Sequence, residues 1–343
     1  MRIACFGGSF NPPHRGHLAI ALNALRDAHF EEVWFIPSGQ APLRDDAPVA
    51  FERRIAMLDA MIKPYRKLKV CPIEAELPQP NYTITTVSTL IQRYPEHQFS
   101  WIIGSDQAKQ FDRWKDSEQL LALVPFIVVP RDPEDQIPSG MQRLDVPGIA
   151  KYSSTAYREG NVHVSPSAVV KVATQHGEYL ESILKASVGS KRFIHIAGVV
   201  SVAVDLALHH GIDPKQAKIA ALLHDLTKPW PTLKQKAWLS FCDPEYAQQP
   251  EPILHQKTAV AYARRVLQVR DPAILHAIGH HVDGGSGHPL TQILYIADKC
   301  EPSRGYDASA VLMLARKDLS AAGHAVRHDQ LNYLSKETHG SND

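Results

Sequence analysis

Short apolar runs alternate with helical patterns along the first half of the chain. Four continuous apolar runs predict buried strands, over residues 3–6, 33–36, 99–103 and 125–129. Between them the apolar residues have helical spacing, over residues 17–28, 53–62, 85–93 and 117–123. This alternation predicts βαβ units and an α/β fold with a doubly wound, Rossmann-like parallel sheet. Ligands bind at the carboxyl ends of the strands in such sheets, so the loops that begin at residues 7, 37 and 104 are candidate site loops.

The second half of the chain shows helical patterns with explicit start signals. Asp213-Pro214 and Asp271-Pro272 each place a capping carboxylate before a proline at the first helical position. Gly211 follows a helical pattern and suits a C-terminal cap. We therefore predict an all-α bundle here. The domain boundary is expected in the Gly/Ser-containing stretch over residues 176–190, which gives domains 1–177 and 178–343.

Charge and cysteine content exclude several classes of protein. The 343 residues carry 37 basic and 36 acidic side chains, and both halves are nearly neutral. This balance argues against a nucleic-acid partner, including RNA or the ribosome. We expect no membrane partner either, because we find no apolar stretch of the roughly 20 residues that a spanning helix needs. The four cysteines are scattered without CxxC pairing, which is typical of reduced thiols in a cytoplasmic protein.

The loop after the first predicted strand has the chemistry of a phosphate site. It has the sequence GGSFNPPHRGH over residues 7–17. Gly7 and Gly8 allow the backbone to approach a ligand closely, and the following helix N-terminus supplies free N–H donors. His14 and His17 can both donate to one phosphoryl group. Histidines at this spacing are also found incidentally, or as half of a metal site.

A second segment offers hydroxyl groups and an arginine. Ser153, Ser154 and Thr155 stand at a predicted helix start, and Arg158 follows one turn later. This arrangement can hold an anion. In isolation, its more common meaning is a capped helix with a surface arginine.

These two segments together resemble the nucleotidyltransferases with paired GxxH and SSTxxR motifs, and most of all the nicotinate-nucleotide adenylyltransferases. The residues over 54–58, Tyr82-Thr83, and WIIGSD over 101–106 followed by Trp114 support the same resemblance. It covers residues 1 to about 177.

The resemblance implies that ATP adenylylates nicotinate mononucleotide, with Mg²⁺ on the phosphates and pyrophosphate as leaving group. It assigns His14, His17 and Arg158 to catalysis. Thr83 and Trp114 are expected near the nicotinate ring and Asp106 near a ribose. The full set implied to bind the two nucleotides is Gly7, Gly8, Ser9, Phe10, Thr83, Gly104, Asp106, Trp114, Arg131, Ser153, Ser154 and Thr155.

Two positions depart from that family's usual pattern. The chain has Pro42-Leu43-Arg44 where the family often has Pro-His-Lys, and Thr85 where it usually has Asp. Both departures concern the nucleotide and pyridine side of the pocket more than the phosphate site. Nicotinamide mononucleotide is therefore an alternative acceptor.

Histidine is unusually frequent in the second half, which holds 12 of the 18. Asp225 and Asp298 stand in apolar runs, where an unpaired carboxylate is costly, so both should be paired or metal-bound. Four histidines follow similar apolar patterns. Such a donor set favours Fe, Mn, Co, Ni or Zn, and six ligands indicate two metal ions with Asp225 bridging them. The predicted ligands are His195, His224, Asp225, His255, His281 and Asp298.

This ordered set resembles the HD-domain metal phosphohydrolases, and the local strings resemble their YqeK-type branch, over residues 185 to about 325. The resemblance implies symmetrical hydrolysis of diadenosine tetraphosphate to two ADP at a di-iron centre. Lys228 could then meet a phosphate, or be a solvated surface lysine. A helical half that binds a nucleotide without turnover is the other interpretation. The sequence leaves open whether the chain forms a homo-oligomer.

Overall fold

The computed structural model describes residues 1–40, 48–285 and 287–340. The chain divides into two compact units, one of Met1–Tyr157 with Asn161–Ala173, and one of Arg158–Gly160 with Thr174–Asp343. The domain boundary that we placed after residue 177 stays a prediction. All four cysteines, Cys5, Cys71, Cys242 and Cys300, are free thiols.

The first unit is built on one parallel sheet of six strands in the order β3-β2-β1-β4-β5-β6. The strands are β1 Arg2–Gly8, β2 Glu32–Pro37, β3 Leu68–Val70, β4 Gln98–Gly104, β5 Phe126–Val129 and β6 Gln142–Arg143. Chain order reverses between β1 and β4, which is the switch point where doubly wound sheets bind ligands. Gly8 is paired with Pro37 and Gly104 with Val129, so the predicted site loops leave the same edge of the sheet.

Helices flank this sheet and enclose its buried faces. They are α1 Arg15–Asp27, α2 Phe51–Ile62, α3 Thr83–Arg93, α4 Ser105–Ala108, α5 Ser117–Leu123, α6 Ser154–Arg158 and α7 Ser167–Gln175, with one-turn 3₁₀ helices at Ile73–Ala75, Phe111–Arg113 and Val162–Val164. Alternate strand residues such as Ile3, Trp101 and Phe126 form one core with Leu90 and Leu120. The period of two places them on one face of the sheet. The predicted α/β architecture is confirmed.

Helices and no strands are found in the described residues of the second unit. Its helices are α8 Leu180–Ser187, α9 Ser190–His209, α10 Pro214–Leu223, α11 Thr232–Cys242, α12 Glu251–Arg265, α13 Pro272–Gly279, α14 Pro289–Cys300, α15 Ser309–Ala315 and α16 Leu319–Gly340, with 3₁₀ turns at Tyr246–Gln248 and Pro302–Arg304. The predicted all-α bundle is confirmed. Helix α8 lies inside the stretch that the sequence indicated as a break.

The predicted start and stop signals act as expected. Asp213 accepts a hydrogen bond from the Lys215 backbone N–H at 2.9 Å, and Asp271 does so from that of Ala273 at 2.9 Å. Gly211 has a φ of +63°, the left-handed conformation that ends a helix most easily with glycine.

Helix α9 corrects the expectation that no stretch is long enough to span a membrane. Over Ser190–His209 it is long and apolar enough to do so by length and composition. The same helix packs against α10 and α14 and contains buried residues His195, Val199 and Leu206. Its position as a central helix of the bundle accounts for its apolar composition.

Candidate active sites

The phosphate-loop histidines form a stacked pair at the start of α1. The imidazole centroids of His14 and His17 lie 3.6 Å apart with an angle of 23° between the rings. Phe10, which is fully buried, packs edge-on against His17. Gly7 is needed at the strand end because a Cβ there would lie 2.9 Å from the Trp101 ring. The two predicted histidines are thus held together at the carboxyl edge of the sheet.

Both histidines are neutral hydrogen-bonding groups. Nδ1 of His17 accepts a hydrogen bond from the His14 backbone N–H at 3.1 Å, so the ring proton lies on Nε2. Burial, with the nearby Arg131 charge, lowers the pKa of His14 to about 4. Burial, then the charges of His14 and Arg131, holds the pKa of His17 well below its usual value. At neutral pH the pair can therefore donate hydrogen bonds to an oxyanion, and the unbound protein does not have to bury a charged imidazolium.

The Ser153 segment is fastened to the phosphate loop. Ser153 Oγ accepts from the Ala156 backbone N–H at 3.0 Å, and Ser154 Oγ donates to the Pro12 carbonyl at 2.8 Å. Ser153 therefore caps its short helix, which agrees with the capped-helix interpretation of this segment. Thr155 and Arg158 follow in the same helix. Phosphate binding by these four residues stays a prediction.

Arg131 and Asp106 meet beyond the ends of β5 and β4. Arg131 Nη2 lies 3.5 Å from Asp106 Oδ2. Gly104 permits this, because a Cβ there would lie 2.5 Å from Asp106 Oδ1. Asp135, which the sequence analysis missed, organises the turn by accepting from Ser105 Oγ at 2.6 Å and from the Arg131 backbone N–H at 3.1 Å. Nothing in its polar sequence neighbourhood distinguishes it from a surface carboxylate.

Arg54 fixes the two loops that follow β1 and β2. Its guanidinium is buried and donates to the carbonyls of Ser9 at 2.8 Å, Ser38 at 2.7 Å and Val49 at 2.9 Å. A buried charge is tolerated here because each of its three nitrogens has a partner. A lone arginine on the apolar side of α2 was the signal that could have revealed this role.

The predicted pyridine-binding residues stand on neighbouring segments. Thr83 begins α3, and Trp114 packs against Phe111 with ring centroids 5.3 Å apart. Their neighbours Tyr82 and Lys115 form a cation–π contact at 4.7 Å. Leu43, one of the two departures from the family pattern, lies outside the described residues. The contacts of Thr83 and Trp114 with a pyridine ring stay predictions.

All six predicted ligands of the second site converge in the bundle. His195 lies in α9, His255 in α12 and Asp298 in α14, while the other three directly follow helices α10 and α13. Asp225 and His224 have no exposed surface, and the remaining four are also buried.

Asp225 lies at the centre of the cluster. Its Oδ1 is 3.3 Å from His255 Nε2 and 3.6 Å from His281 Nε2. Its Oδ2 is 3.7 Å from His224 Nε2, so its two oxygens face different imidazoles. Asp298 Oδ1 lies 3.2 Å from His195 Nε2 and 3.8 Å from His224 Nε2. This geometry allows Asp225 to bridge two cations.

The orientation of the imidazoles fits metal binding. Nδ1 of His224 and of His281 each lie 2.7 Å from a backbone carbonyl, which can only accept. Their Nε2 lone pairs therefore face the centre. His224 Nε2 and Asp225 Oδ1 are buried and lack a hydrogen bond of normal geometry within the described part of the chain. Two groups of three could each hold an ion: His195, His224 and Asp298, and His224, Asp225 and His281.

The protonation states of the carboxylates and of His224 also fit metal binding. Burial, with the charge of His281, lowers the pKa of His224 to about 4. Burial would raise the pKa of Asp225 and Asp298, but the surrounding imidazoles and lysines outweigh it and hold both well below the usual value. Ionised carboxylates beside a neutral imidazole are the state that binds transition metals.

Comparisons with known proteins assign each unit. The cytidylyltransferase-like family matches residues 5–160 and the HD domain family matches residues 192–303. A probable nicotinate-nucleotide adenylyltransferase of Methylacidiphilum infernorum is 35% identical over 52% of this chain and 92% of its own length. The nicotinate-nucleotide adenylyltransferase of Bacillus subtilis is 35% identical over 52% of this chain and 98% of its own. The chain belongs to the nicotinate-nucleotide adenylyltransferase family.

The second unit adds an HD domain to this family member. A Mycoplasma genitalium protein named as a probable nicotinate-nucleotide adenylyltransferase/Ap4A hydrolase is 28% identical over 94% of this chain and 95% of its own length. Both predicted resemblances are confirmed, and so is the prediction of an enzyme that joins a nucleotidyltransferase domain to an HD domain.

Glu301 is a supporting residue that the sequence analysis missed. It is buried, and its Oε1 accepts from His195 Nδ1 at 2.9 Å, which fixes that ring with Nε2 toward the centre. Gly198 makes room for it, because a Cβ there would lie 2.4 Å from Glu301 Oε2. Burial lowers the pKa of His195, but hydrogen bonds to Asp298 and Glu301 outweigh this and raise it. A carboxylate three residues after a predicted ligand was the available signal.

Replacing Glu301 by Gln should weaken transition-metal binding by about 10- to 100-fold, because it removes the anion that orients and strengthens His195. Gly198→Ala should do the same by displacing Glu301. Gly189→Ala, in the same region with open space around it, is the matched control. Metal affinity measured by competition with a chelator tests this. Equal affinity in Gly198→Ala and Gly189→Ala would contradict it.

Acid should destabilise the protein through His14. Its pKa is about 4 when folded against an ordinary 6.5, so below pH 6.5 the unfolded chain binds a proton that the folded chain does not. The contribution of His14 to the free energy of unfolding should therefore fall, by about 3 kcal/mol, as pH drops toward 4, and then level off. Urea unfolding across this range should show a smaller loss in His14→Gln than in the wild type. The exposed His163→Gln should behave as the wild type does, and identical curves for all three would refute the assignment.

Proposed function

We propose that the first site transfers the adenylyl group of ATP to nicotinate mononucleotide and that the second site hydrolyses diadenosine tetraphosphate to two ADP. The observation that best supports the first activity is the stacked, neutral His14–His17 pair at the switch point of the sheet. For the second activity it is Asp225, whose two oxygens face four imidazoles. Relatives named for both activities over nearly the whole chain support the pairing.

Adenylyl transfer requires positioning rather than a protein nucleophile. An oxygen of the mononucleotide 5′-phosphate bonds to the α-phosphorus of ATP, and the bond from that phosphorus to the bridging oxygen breaks, so pyrophosphate leaves. His14 and His17 would donate to the α-phosphate oxygens, where negative charge accumulates. Arg158 and the hydroxyls of Ser154 and Thr155 would hold the outer phosphates. Mg²⁺, when bound, supplies further neutralisation of the phosphates.

The mononucleotide that accepts the adenylyl group could carry either nicotinate or nicotinamide. The names of the adenylyltransferase relatives favour the acid, nicotinate. Thr85, in the first turn of α3, places a neutral hydroxyl residue where the family usually has a carboxylate, and this favours testing the amide. We expect turnover of nicotinate mononucleotide to exceed that of nicotinamide mononucleotide. Steady-state rates with each, analysed by chromatography, decide between them.

Symmetrical hydrolysis requires an activated water and a held polyphosphate. Water oxygen bonds to one of the two central phosphorus atoms, the bridge to the other breaks, and two ADP leave. Two transition metal ions, iron by resemblance, would supply a hydroxide and charge neutralisation when bound. His195, His224 and Asp298 would hold one, His255 and His281 the other, and Asp225 would bridge them. Lys228 Nζ lies 3.3 Å from Asp225 Oδ2 and would meet a phosphate of the substrate.

The two activities should be lost separately. His17→Ala should lower adenylyl transfer by at least about 100-fold and leave tetraphosphate hydrolysis unchanged, because it removes one oxyanion donor. Asp225→Ala should abolish hydrolysis and metal binding and leave adenylyl transfer unchanged. Product chromatography with metal analysis measures both. Loss of both activities in either variant would refute independent sites. Less than one transition metal per wild-type chain would favour a binding module without turnover.

A further inference from the structure

Four cationic side chains contact the two carboxylates of the HD centre. Arg192 Nη1 lies 2.6 Å and Lys228 Nζ 3.3 Å from Asp225 Oδ2. Arg304 Nη2 lies 2.7 Å from Asp298 Oδ1, and Lys299 Nζ lies 2.8 Å from Asp298 Oδ2. We call these four residues the cation ring.

The cation ring lies between the centre and solvent. Its side chains are 20–36% exposed, whereas those of Asp225 and Asp298 are buried. The ring comes from separate segments: α9, the turn after α10, α14, and the 3₁₀ turn Pro302–Arg304. An anion that approaches these carboxylates from the solvent side of the ring therefore meets positive charge first.

The chemistry of the ring suits phosphate. Arginine presents five N–H donors in a planar fork that matches phosphate oxygens. Arg304 is already oriented, because its Nε donates to the Asp298 carbonyl at 2.9 Å. Arg192 makes a single described hydrogen bond, through Nη1 to Asp225, which leaves donors for a ligand.

Charge also points to a chain of several phosphates. The ring carries four positive charges against the three carboxylates it contacts, those of Asp225, Asp298 and Glu301, and bound metal ions would add to this excess. A dinucleoside tetraphosphate carries four ionised phosphates, whereas a nucleoside monophosphate carries one. A monophosphate could engage only part of the ring.

We propose that Arg192 and Arg304 are substrate-binding residues that hold the polyphosphate chain and, with Lys228 and Lys299, select longer chains over a monophosphate. This rests on the proposed function of the second site. In the structure both arginines contact carboxylate oxygens that also face imidazoles of the centre, so each arginine competes with a cation for its carboxylate. Ligand binding moves the arginine toward phosphate and leaves the carboxylate to the metal.

This competition gives two effects of opposite sign. Arg192→Gln and Arg304→Gln should each bind transition metal about threefold more tightly or better, because a like charge leaves the centre. Once loaded with metal, each variant should bind ADP about tenfold more weakly than the loaded wild type, because a charge-assisted contact is lost. AMP binding should change less than ADP binding. Arg192→Lys should recover part of the ADP affinity.

Chelator competition and calorimetry on the full chain measure these quantities. Arg264→Gln, an exposed arginine of α12, is the matched control, and an unchanged helical circular-dichroism signal and thermal midpoint verify folding of the helical unit. Wild-type ADP affinity in both Gln variants would overturn the proposal. A parallel loss of metal and ADP binding would also overturn it, since that indicates a structural role. If the loaded wild type binds ADP but does not hydrolyse diadenosine tetraphosphate, the proposed hydrolase function fails instead.

Discussion

The carboxylate of Asp225 imposes the main constraint on the helical unit. A charge without exposed surface must be compensated within the protein, or it would raise its own pKa and become protonated. Arg192 and Lys228 supply positive charge to one of its oxygens. Four imidazoles face its two oxygens and, with it, could hold cations that compensate the rest. The packing of α9, α10, α12 and α13 therefore serves the candidate metal centre as much as the apolar core.

The sheet unit also has to avoid an uncompensated buried charge, and it does so with neutral side chains. The ligands proposed for it are anions, so its buried groups must offer hydrogen-bond donors and must not themselves carry a buried charge. His14 and His17 do this as neutral rings, since burial and Arg131 keep their pKa values low. Arg54 is the exception, a buried cation that survives because three backbone carbonyls surround it. It thereby ties the β1 and β2 loops into one rigid edge.

Features with a local cause were predictable from the sequence. The long buried strands, the caps at Asp213 and Asp271, and the convergence of six ligands all follow from apolar periodicity and from the cost of burying a carboxylate. Strands β3 and β6 were missed because they are only three and two residues long, too short for any period. Helix α8 was missed because Ser and Gly residues beside it resembled a linker.

The missed site residues share a different cause. Glu301 and Asp135 act through partners that only the fold brings near, 106 and 30 residues away along the chain. A sequence gives the chemistry of such a side chain but not the distance to its partner. Gly198 shows this most clearly, because its reason for lacking a side chain is the Glu301 carboxylate. Supporting residues of a site are therefore recognised from burial and contacts, whereas its ligands are already indicated by their chemistry and order.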